Sequence, residues 1–192
     1  DTKHGYVAIA LRDDLAPGHA QRLTELTREG FYDGVVFHRV IDGFMAQTGD
    51  PTGTGRGGSE KPDLDPEFSD PSVASFERGT VGMARSQDPA SANSQFFIMF
   101  DAGTFLDGQY TIVGEVLFGM DAVDQIKRGA PGSGCRSRPS PGAHCGPSGS
   151  SLRARLPDSS NTNQRTPGSG THHRLPCMAR RSTWMLTASR RQ

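Results

Sequence analysis

The sequence predicts a mainly β protein, an antiparallel barrel or sandwich closed by helices. Three observations support this class. Short apolar segments, several of them alternating in character from residue to residue, recur through residues 1–134. Gly, Pro and Asp separate these segments, as tight turns require. Helical spacing of apolar residues occurs only near the two ends of this region.

The first half of this region contains three predicted strands, the third over residues 44–47, and one predicted helix. Larger apolar residues alternate with smaller ones over residues 5–11, which indicates a strand. Pro17 can occupy the first turn of a helix and Gly30 can close it, so we predict a helix over residues 17–29. Residues 35–41 are rich in β-branched side chains, and the Asp-Gly pair after them predicts a hairpin.

The second half contains a long loop and three further strands. Residues 49–71 are rich in Gly, Pro and Asp, which favours a loop. Strand patterns occur over residues 80–84, 94–100 and 109–117. Alternation in the middle of these strands gives two faces: Gln95, Phe97 and Met99 on one, and Phe96, Ile98 and Phe100 on the other. Apolar spacing from Met120 onward predicts a last helix, which Gly129 would end.

The charge distribution divides the chain at about residue 135. Residues 1–134 carry 11 Lys and Arg against 20 Asp and Glu, and they contain all ten Phe. Residues 135–192 carry 10 Arg, no Lys and a single acid. We therefore predict a folded domain over 1–134 and a disordered, Arg/Ser/Pro-rich tail over 135–192. The tail has the composition expected of a GC-rich coding sequence read out of frame, so we interpret it as frameshifted or non-native sequence.

Composition also argues against several classes of protein. The sequence has no run of 18 apolar residues, and its first residues lack a basic start followed by an apolar stretch. These features argue against a transmembrane helix and an export signal. The formal net charge of zero does not suggest a nucleic-acid partner, although the charge of the basic tail alone would be compatible with one. We expect a cytoplasmic protein with no membrane or nucleic-acid partner.

Two patterns suggest cofactors only superficially. Residues 53–58 (GTGRGG) match G-x-G-x-x-G, but a dinucleotide site needs a buried strand before the motif and a helix after it. Pro62 disfavours such a helix, so a flexible loop or a backbone platform for a ligand is favoured. Four residues of the tail could ligate a metal: Cys145, Cys177, His172 and His173. Their spacing fits no zinc motif, and we predict neither a metal nor a cofactor.

Three polar residues lie inside apolar strands. His38 is a candidate acid or base, although a hydrogen-bonded structural histidine is the favoured interpretation. Arg39 and Gln95 either lie on a solvated face or point into a site. Spacing alone favours the solvated face for both.

Three segments in order along the chain resemble the signatures of the cyclophilins, the peptidyl-prolyl cis-trans isomerases. They are residues 37–50 (FHRVIDGFMAQTGD), residues 82–98 (GMAR at one end, NSQFFI at the other) and residues 105–114 (FLDGQY, then VG). The resemblance covers about residues 5–129. It implies an eight-stranded antiparallel barrel with a helix over each open end. A strand before residue 5 and a strand after the last helix are not recognisable, so the terminal strands are expected to be missing.

The resemblance also implies a cleft on the outside of the barrel. Arg39 matches the catalytic arginine, and Gln47 and Gln95 match the polar groups that hold the substrate backbone. Further positions match the apolar walls of the proline pocket or border it: Phe44, Met45, Phe97, Phe105, Leu106 and Tyr110. The rest match the segment beside the residue that precedes proline and a loop glycine near the peptide: Ala84, Arg85, Ser86 and Gly55.

One of these assignments conflicts with simple hairpin geometry. An ideal two-residue turn at Asp42-Gly43 would place Arg39 and Phe44 on one face, and Met45 and Gln47 on the other. The resemblance requires all four in one cleft. We therefore predict a wider or bulged turn.

The implied activity is acceleration of X–Pro bond rotation in unfolded or flexible proteins, by a monomer. Arg39 would donate a hydrogen bond to the prolyl nitrogen in a twisted amide transition state. The alternative is a non-catalytic proline-peptide-binding or chaperone module on the same fold. Phe105 stands where a Trp is usual and Tyr110 where a His is usual, which resembles the bacterial branch. Loss of the indole N–H implies weak binding of cyclosporin-type inhibitors.

Overall fold

The computed structural model describes residues 1–129, which form one six-stranded antiparallel sheet with two α-helices and a short 3₁₀ helix. The strands are β1 Ala8–Leu11, β2 Arg39–Ile41, β3 Met45–Thr48, β4 Thr80–Met83, β5 Phe96–Met99 and β6 Ile112–Phe118. The helices are α1 Pro17–Arg28 and α2 Met120–Asp124, and the 3₁₀ helix is Thr104–Leu106.

The strand order in the sheet is β1-β6-β4-β5-β3-β2, and every neighbouring pair is antiparallel. β1 and β2 are the edge strands and do not pair with each other. The mainly β antiparallel class predicted from the sequence is confirmed, with six strands among residues 1–129. The predicted tail, residues 135–192, and its Cys and His residues lie outside the described residues.

The predicted elements all exist, but several are shorter than predicted. The helix over residues 17–29 is correct to within one residue. The strand predicted over 35–41 contains only β2, because the chain before Arg39 is irregular. α2 ends at Asp124, well before Gly129, because the chain then returns to the sheet. There the Gly129 N–H donates to the Val40 carbonyl at 3.0 Å.

The turn between β2 and β3 contains three residues rather than two. Arg39 pairs with Gln47 and Ile41 pairs with Met45, which leaves residues 42–44 as the loop. The Phe44 N–H donates to the Ile41 carbonyl at 3.1 Å across it. Directly paired residues share a face of the sheet, so Arg39 and Gln47 lie side by side. The predicted wider turn is confirmed.

The two faces of the sheet pack against different partners. The inner face and the helices form the larger apolar core, which includes Val40, Ala46, Phe96, Ile98 and Leu26. The outer face forms a smaller apolar cluster: Met45, Phe76, Phe97, Met99, Leu106 and Ile112. The predicted division of residues 94–100 is confirmed, since Phe96, Ile98 and Phe100 join the first group and Phe97 and Met99 the second.

A long connection, residues 49–79, links β3 to β4 and is anchored to α1 by Glu67. The Glu67 carboxylate accepts the backbone N–H groups of Gly18 and His19 at 3.1 and 3.0 Å, at the first turn of the helix. It also lies 2.6 Å from Nδ1 of the buried His19 ring. Burial alone would raise the pKa of Glu67, but these hydrogen bonds outweigh it and lower the pKa. Neither helix among the described residues is long and apolar enough to span a bilayer.

Candidate functional site

The floor of the candidate site is the outer apolar cluster. Met45 on β3 and Phe97 on β5 are 2% and 5% exposed, and Leu106 closes one side from the 3₁₀ helix. The Phe97 ring stacks on Phe76 with centroids 5.8 Å apart. Gly82 permits this arrangement, because a Cβ there would lie 2.6 Å from both rings. The floor is therefore a rigid, nearly dry apolar surface.

Three aromatic rings form the rim of this floor. Phe44 follows the β2–β3 turn and lies 5.5 Å from Phe105 between ring centroids. Tyr110 meets Phe97 edge-on at 6.0 Å. Phe105 is 65% exposed, so the aromatic wall is open to solvent on that side. Floor and rim together make one apolar patch, which we call the apolar pocket.

A row of polar side chains borders the pocket. Arg39 donates to Gln47 Oε1 at 3.3 Å, and Gln47 Nε2 donates to Gln95 Oε1 at 2.8 Å. Gln95 Nε2 in turn donates to the Gly57 carbonyl at 2.7 Å. We call this row (Arg39, Gln47, Gln95 and Gly57) the polar relay. It connects an exposed guanidinium to the backbone of the Gly-rich loop.

Beyond the polar relay the surface deepens into a second hollow of about 550 Å³. Gln47 and Gln95 form one wall, the Gly-rich loop another, and residues 84–86 a third. Gly55, Ala84, Arg85 and Ser86 all line it. An extended peptide with a ring in the apolar pocket could therefore continue over the polar relay into this hollow.

Arg85 joins the hollow to the aromatic rim. Its guanidinium carbon lies 4.4 Å from the centroid of the Tyr110 ring. Its N–H groups donate to the carbonyls of Gln109, at 3.0 Å, and of Ser86, at 2.9 Å. These contacts fix residues 84–86 relative to the loop that carries Tyr110.

The guanidinium groups of this surface are not neutralised. Within residues 1–129 neither Arg39 nor Arg85 forms an ion pair with a carboxylate. Gln47 and backbone carbonyls, which are neutral, accept their hydrogen bonds. The Arg39 and Arg85 guanidinium groups therefore keep unused donors for a ligand.

All thirteen residues singled out in the sequence lie on this one continuous surface. The apolar pocket contains Phe44, Met45, Phe97, Phe105, Leu106 and Tyr110. The polar relay contains Arg39, Gln47 and Gln95. The second hollow adds Gly55, Ala84, Arg85 and Ser86.

His38 is buried, as expected of a structural histidine. Burial lowers the pKa of His38, and the nearby Asp50 carboxylate and Gln95 side chain oppose this only in part. The ring is therefore a neutral wall behind Gly55.

The Gly-rich loop binds a carboxylate of its own chain. The N–H groups of residues 54–57 all donate to Asp50 Oδ2, at 2.6 to 3.1 Å. β3, which precedes the loop, is antiparallel to its neighbours, and no helix follows. The backbone donors that would hold a phosphate are thus already occupied. No cluster of metal-ligating side chains occurs among residues 1–129.

Two contributors to the site were not predicted. Phe76 underlies the pocket, but it lies in a loop without periodicity, so the sequence carried no signal for it. Asp50 did have a signal. An Asp that is followed two residues later by Thr is typical of a turn in which the carboxylate accepts the Thr N–H, here at 2.8 Å.

Comparison with known proteins agrees with this geometry. The family model described as cyclophilin type peptidyl-prolyl cis-trans isomerase/CLD matches residues 1–143. A protein of Brucella suis named "Probable peptidyl-prolyl cis-trans isomerase" is 60% identical over 139 residues, which are 67% of this chain and 69% of that protein.

Solved structures are similar as well. The cyclophilin AquaCyp293 of Hirschia baltica is 30% identical with a TM-score of 0.60, over 67% of this chain and 66% of that chain. A cyclophilin type isomerase of Cryptosporidium parvum, solved in the presence of the dipeptide Ala-Pro, is 29% identical with a TM-score of 0.63. That match covers 79% of this chain and 92% of the other.

Proposed function

The chain belongs to the cyclophilin-type peptidyl-prolyl cis-trans isomerase family, and from this premise we propose that Arg39 is the catalytic residue of its X–Pro isomerisation. The observation that carries the proposal is the position of the Arg39 guanidinium. It lies at the border of the apolar pocket, held by Gln47 and unpaired with any carboxylate of the described residues.

The reaction itself explains why such a site suffices. Rotation about a peptide bond has a barrier of about 18–20 kcal/mol, because the nitrogen lone pair is delocalised into the carbonyl. In the twisted transition state that lone pair returns to the prolyl nitrogen, which then accepts a hydrogen bond that it accepts poorly when planar. A donor fixed at that nitrogen therefore stabilises the transition state more than the ground state.

Arg39 has the properties of such a donor. Only one of its N–H groups is used by Gln47, and a guanidinium presents five N–H donors in a fixed planar arrangement. A hydrogen bond to a charged donor contributes about 1.5–3 kcal/mol, which is too little to explain a large acceleration alone. The apolar pocket must contribute by anchoring the proline ring and excluding water, while Gln47 and Gln95 hold the flanking backbone.

An isomerisation assay with Arg39→Ala tests the proposal. We expect kcat/KM to fall about a hundredfold, comparable with the removal of one transition-state donor, while a proline peptide still binds. Arg12→Ala is the matched control, because Arg12 pairs with Asp14 away from the site and should leave activity unchanged. Near-normal turnover in Arg39→Ala would refute the assignment. Peptide binding without isomerisation in the wild type would favour a non-catalytic binding or chaperone module.

We further propose that cyclosporin-type inhibitors bind weakly. Phe105 presents an exposed ring without an N–H donor at the rim of the pocket. Phe105→Trp would supply that donor at the same place, so inhibition should become tighter in this variant. Equal inhibition of both proteins would contradict the role given to Phe105.

We also infer that the sheet is part of an eight-stranded barrel, as the resemblance implies. The Gly129 N–H on the Val40 carbonyl supports this, because it brings the chain that follows α2 to the open edge of β2. The Val40 backbone groups face this edge, whereas those of Ile41 face β3. Protection of the Val40 amide in hydrogen exchange therefore tests whether the edge is covered, and rapid exchange there would speak against closure.

A further inference from the structure

Asp50 is a buried carboxylate at the end of β3, outside the polar relay. It is 0% exposed, although it is an acid without a cationic partner within residues 1–129. Burial of an unpaired charge is costly unless hydrogen bonds replace the lost water. The contacts of this side chain therefore need an explanation.

Both carboxylate oxygens of Asp50 are saturated by the loop that follows. Oδ1 accepts the N–H and hydroxyl of Thr52 at 2.8 and 2.7 Å. Oδ2 accepts the N–H groups of Thr54, Gly55, Arg56 and Gly57 at 3.0, 2.6, 3.1 and 3.1 Å. The Thr54 hydroxyl lies 3.3 Å from the same oxygen. One carboxylate thus fixes the backbone conformation of five residues by accepting their N–H groups.

The same loop supplies the last acceptor of the polar relay. Gly57 donates its N–H to Asp50 and accepts Gln95 Nε2 on its carbonyl at 2.7 Å. Only glycine fits there, because a Cβ at Gly57 would overlap Asp50 Oδ1 and lie 3.0 Å from Thr52 Cγ2. The position of the carbonyl that orients Gln95 is therefore determined by Asp50.

We propose that Asp50 is a positioning residue for catalysis, which fixes the Gly57 carbonyl and through it aligns Gln95, Gln47 and Arg39. This inference rests on the proposed function of Arg39. Among the hydrogen bonds of residues 1–129, the polar relay meets the Gly-rich loop where Gln95 donates to Gly57, so the order of that loop reaches the guanidinium through Gln95. Burial alone would raise the pKa of Asp50, but the hydrogen bonds from Thr52 and from the loop backbone hold it at about 2. The carboxylate is thus ionised at neutral pH.

A double-mutant cycle between Asp50 and Gln95 tests this proposal. Asp50→Asn keeps the shape of the side chain but replaces one of its two acceptor oxygens by an N–H₂ donor. We expect kcat/KM to fall roughly ten- to hundredfold in the wild-type background, as for a misplaced catalytic group. In the Gln95→Ala background the same substitution should cost less than about threefold, because the route to Arg39 is already broken. Each variant is assayed at a temperature at which circular dichroism shows it to be folded.

The matched control is Glu67→Gln. Glu67 lies in the same long connection and also accepts backbone N–H groups, but these belong to Gly18 and His19, so Glu67 holds α1 rather than the polar relay. The Glu67→Gln substitution should lower the melting temperature and leave kcat/KM of the folded protein unchanged. If Asp50→Asn does not fold, Gly57→Ala takes its place, since its Cβ displaces the same carbonyl in an exposed loop.

Two results would overturn the proposal. One is a kcat/KM in Asp50→Asn within about threefold of the wild type. The other is the same loss in both backgrounds, which would mean that Asp50 acts independently of Gln95. Neither result would affect the proposed function, which the Arg39→Ala assay decides separately.

Discussion

Phe97 and Ile98 are neighbours in β5, yet they belong to opposite faces of the sheet and to different parts of the protein. Ile98 is 2% exposed and packs in the core beneath the helices. Phe97 is 5% exposed and forms the floor of the candidate site. The two side chains are almost equally buried. Burial alone therefore does not distinguish a residue that stabilises the fold from one that binds a ligand.

What distinguishes the two faces is the way in which each one ends. The inner core is closed by α1 and α2, and its described members are almost all apolar. The outer cluster is bordered by Arg39, Gln47 and Gln95, which are linked to one another by hydrogen bonds. An apolar surface that stops at organised polar groups is typical of a binding site. The comparison predicts that the two faces respond differently to the same kind of perturbation.

The largest effect is expected from a cavity in the inner face. Ile98→Ala should lower the free energy of unfolding by about 2–5 kcal/mol, because a buried side chain is removed and its neighbours cannot fully close the gap. Urea unfolding followed by circular dichroism measures this loss. The kcat/KM of the remaining folded protein should stay within about twofold of the wild type. A large fall in kcat/KM at unchanged stability would show that the two faces are not separate.

The sequence predicted this division of faces because strand periodicity is a local property. Alternation over residues 94–100 required only that β5 be a strand with two buried faces. Helix α1 was likewise predicted closely, since Pro17 begins it. The site residues were identified from the family resemblance, because spacing alone favoured a solvated face for Arg39 and Gln95.

Other features depend on contacts that local patterns do not encode. The three-residue turn after Ile41 changes which residues share a face, and an Asp-Gly pair does not specify its length. Phe76 reaches the pocket from an irregular segment. The His38 ring is buried behind Gly55, which lies 17 residues further along the chain. Each of these outcomes is decided by packing between segments that are distant along the chain.

An intermediate effect is expected from acid, and it should arise outside the inner core. Tyr32, a member of the described core whose pKa is raised by burial, stays neutral in acid. Asp50 has its pKa lowered from 3.8 to about 2, and the pKa of Glu67 is also lowered. Such groups stabilise the fold when the pH is above their ordinary pKa. This contribution to stability is lost as the pH falls through their pKa in the folded protein.

Urea midpoints measured between pH 5 and pH 2 test this prediction. The Asp50 contribution corresponds to about 2 kcal/mol, since one pKa unit equals 1.36 kcal/mol. The midpoint should therefore fall steadily below pH 4, and Asp50→Asn should flatten that fall. A midpoint that is constant down to pH 2.5 in the wild type would contradict the sign of the shift. An equally steep fall in Asp50→Asn would show that another acid is responsible.

The smallest effect is expected from a conservative change in the outer face. Phe97→Leu keeps an apolar side chain on β5 but removes the flat ring that stacks on Phe76 and meets Tyr110. About 1 kcal/mol of contact with a proline ring should be lost, which raises KM roughly fivefold and leaves kcat nearly unchanged. Ile98→Val is the matched change on the inner face and should alter stability alone. If Phe97→Leu lowers kcat and leaves KM unchanged, the ring acts in the transition state, and the outer face does more than hold the proline.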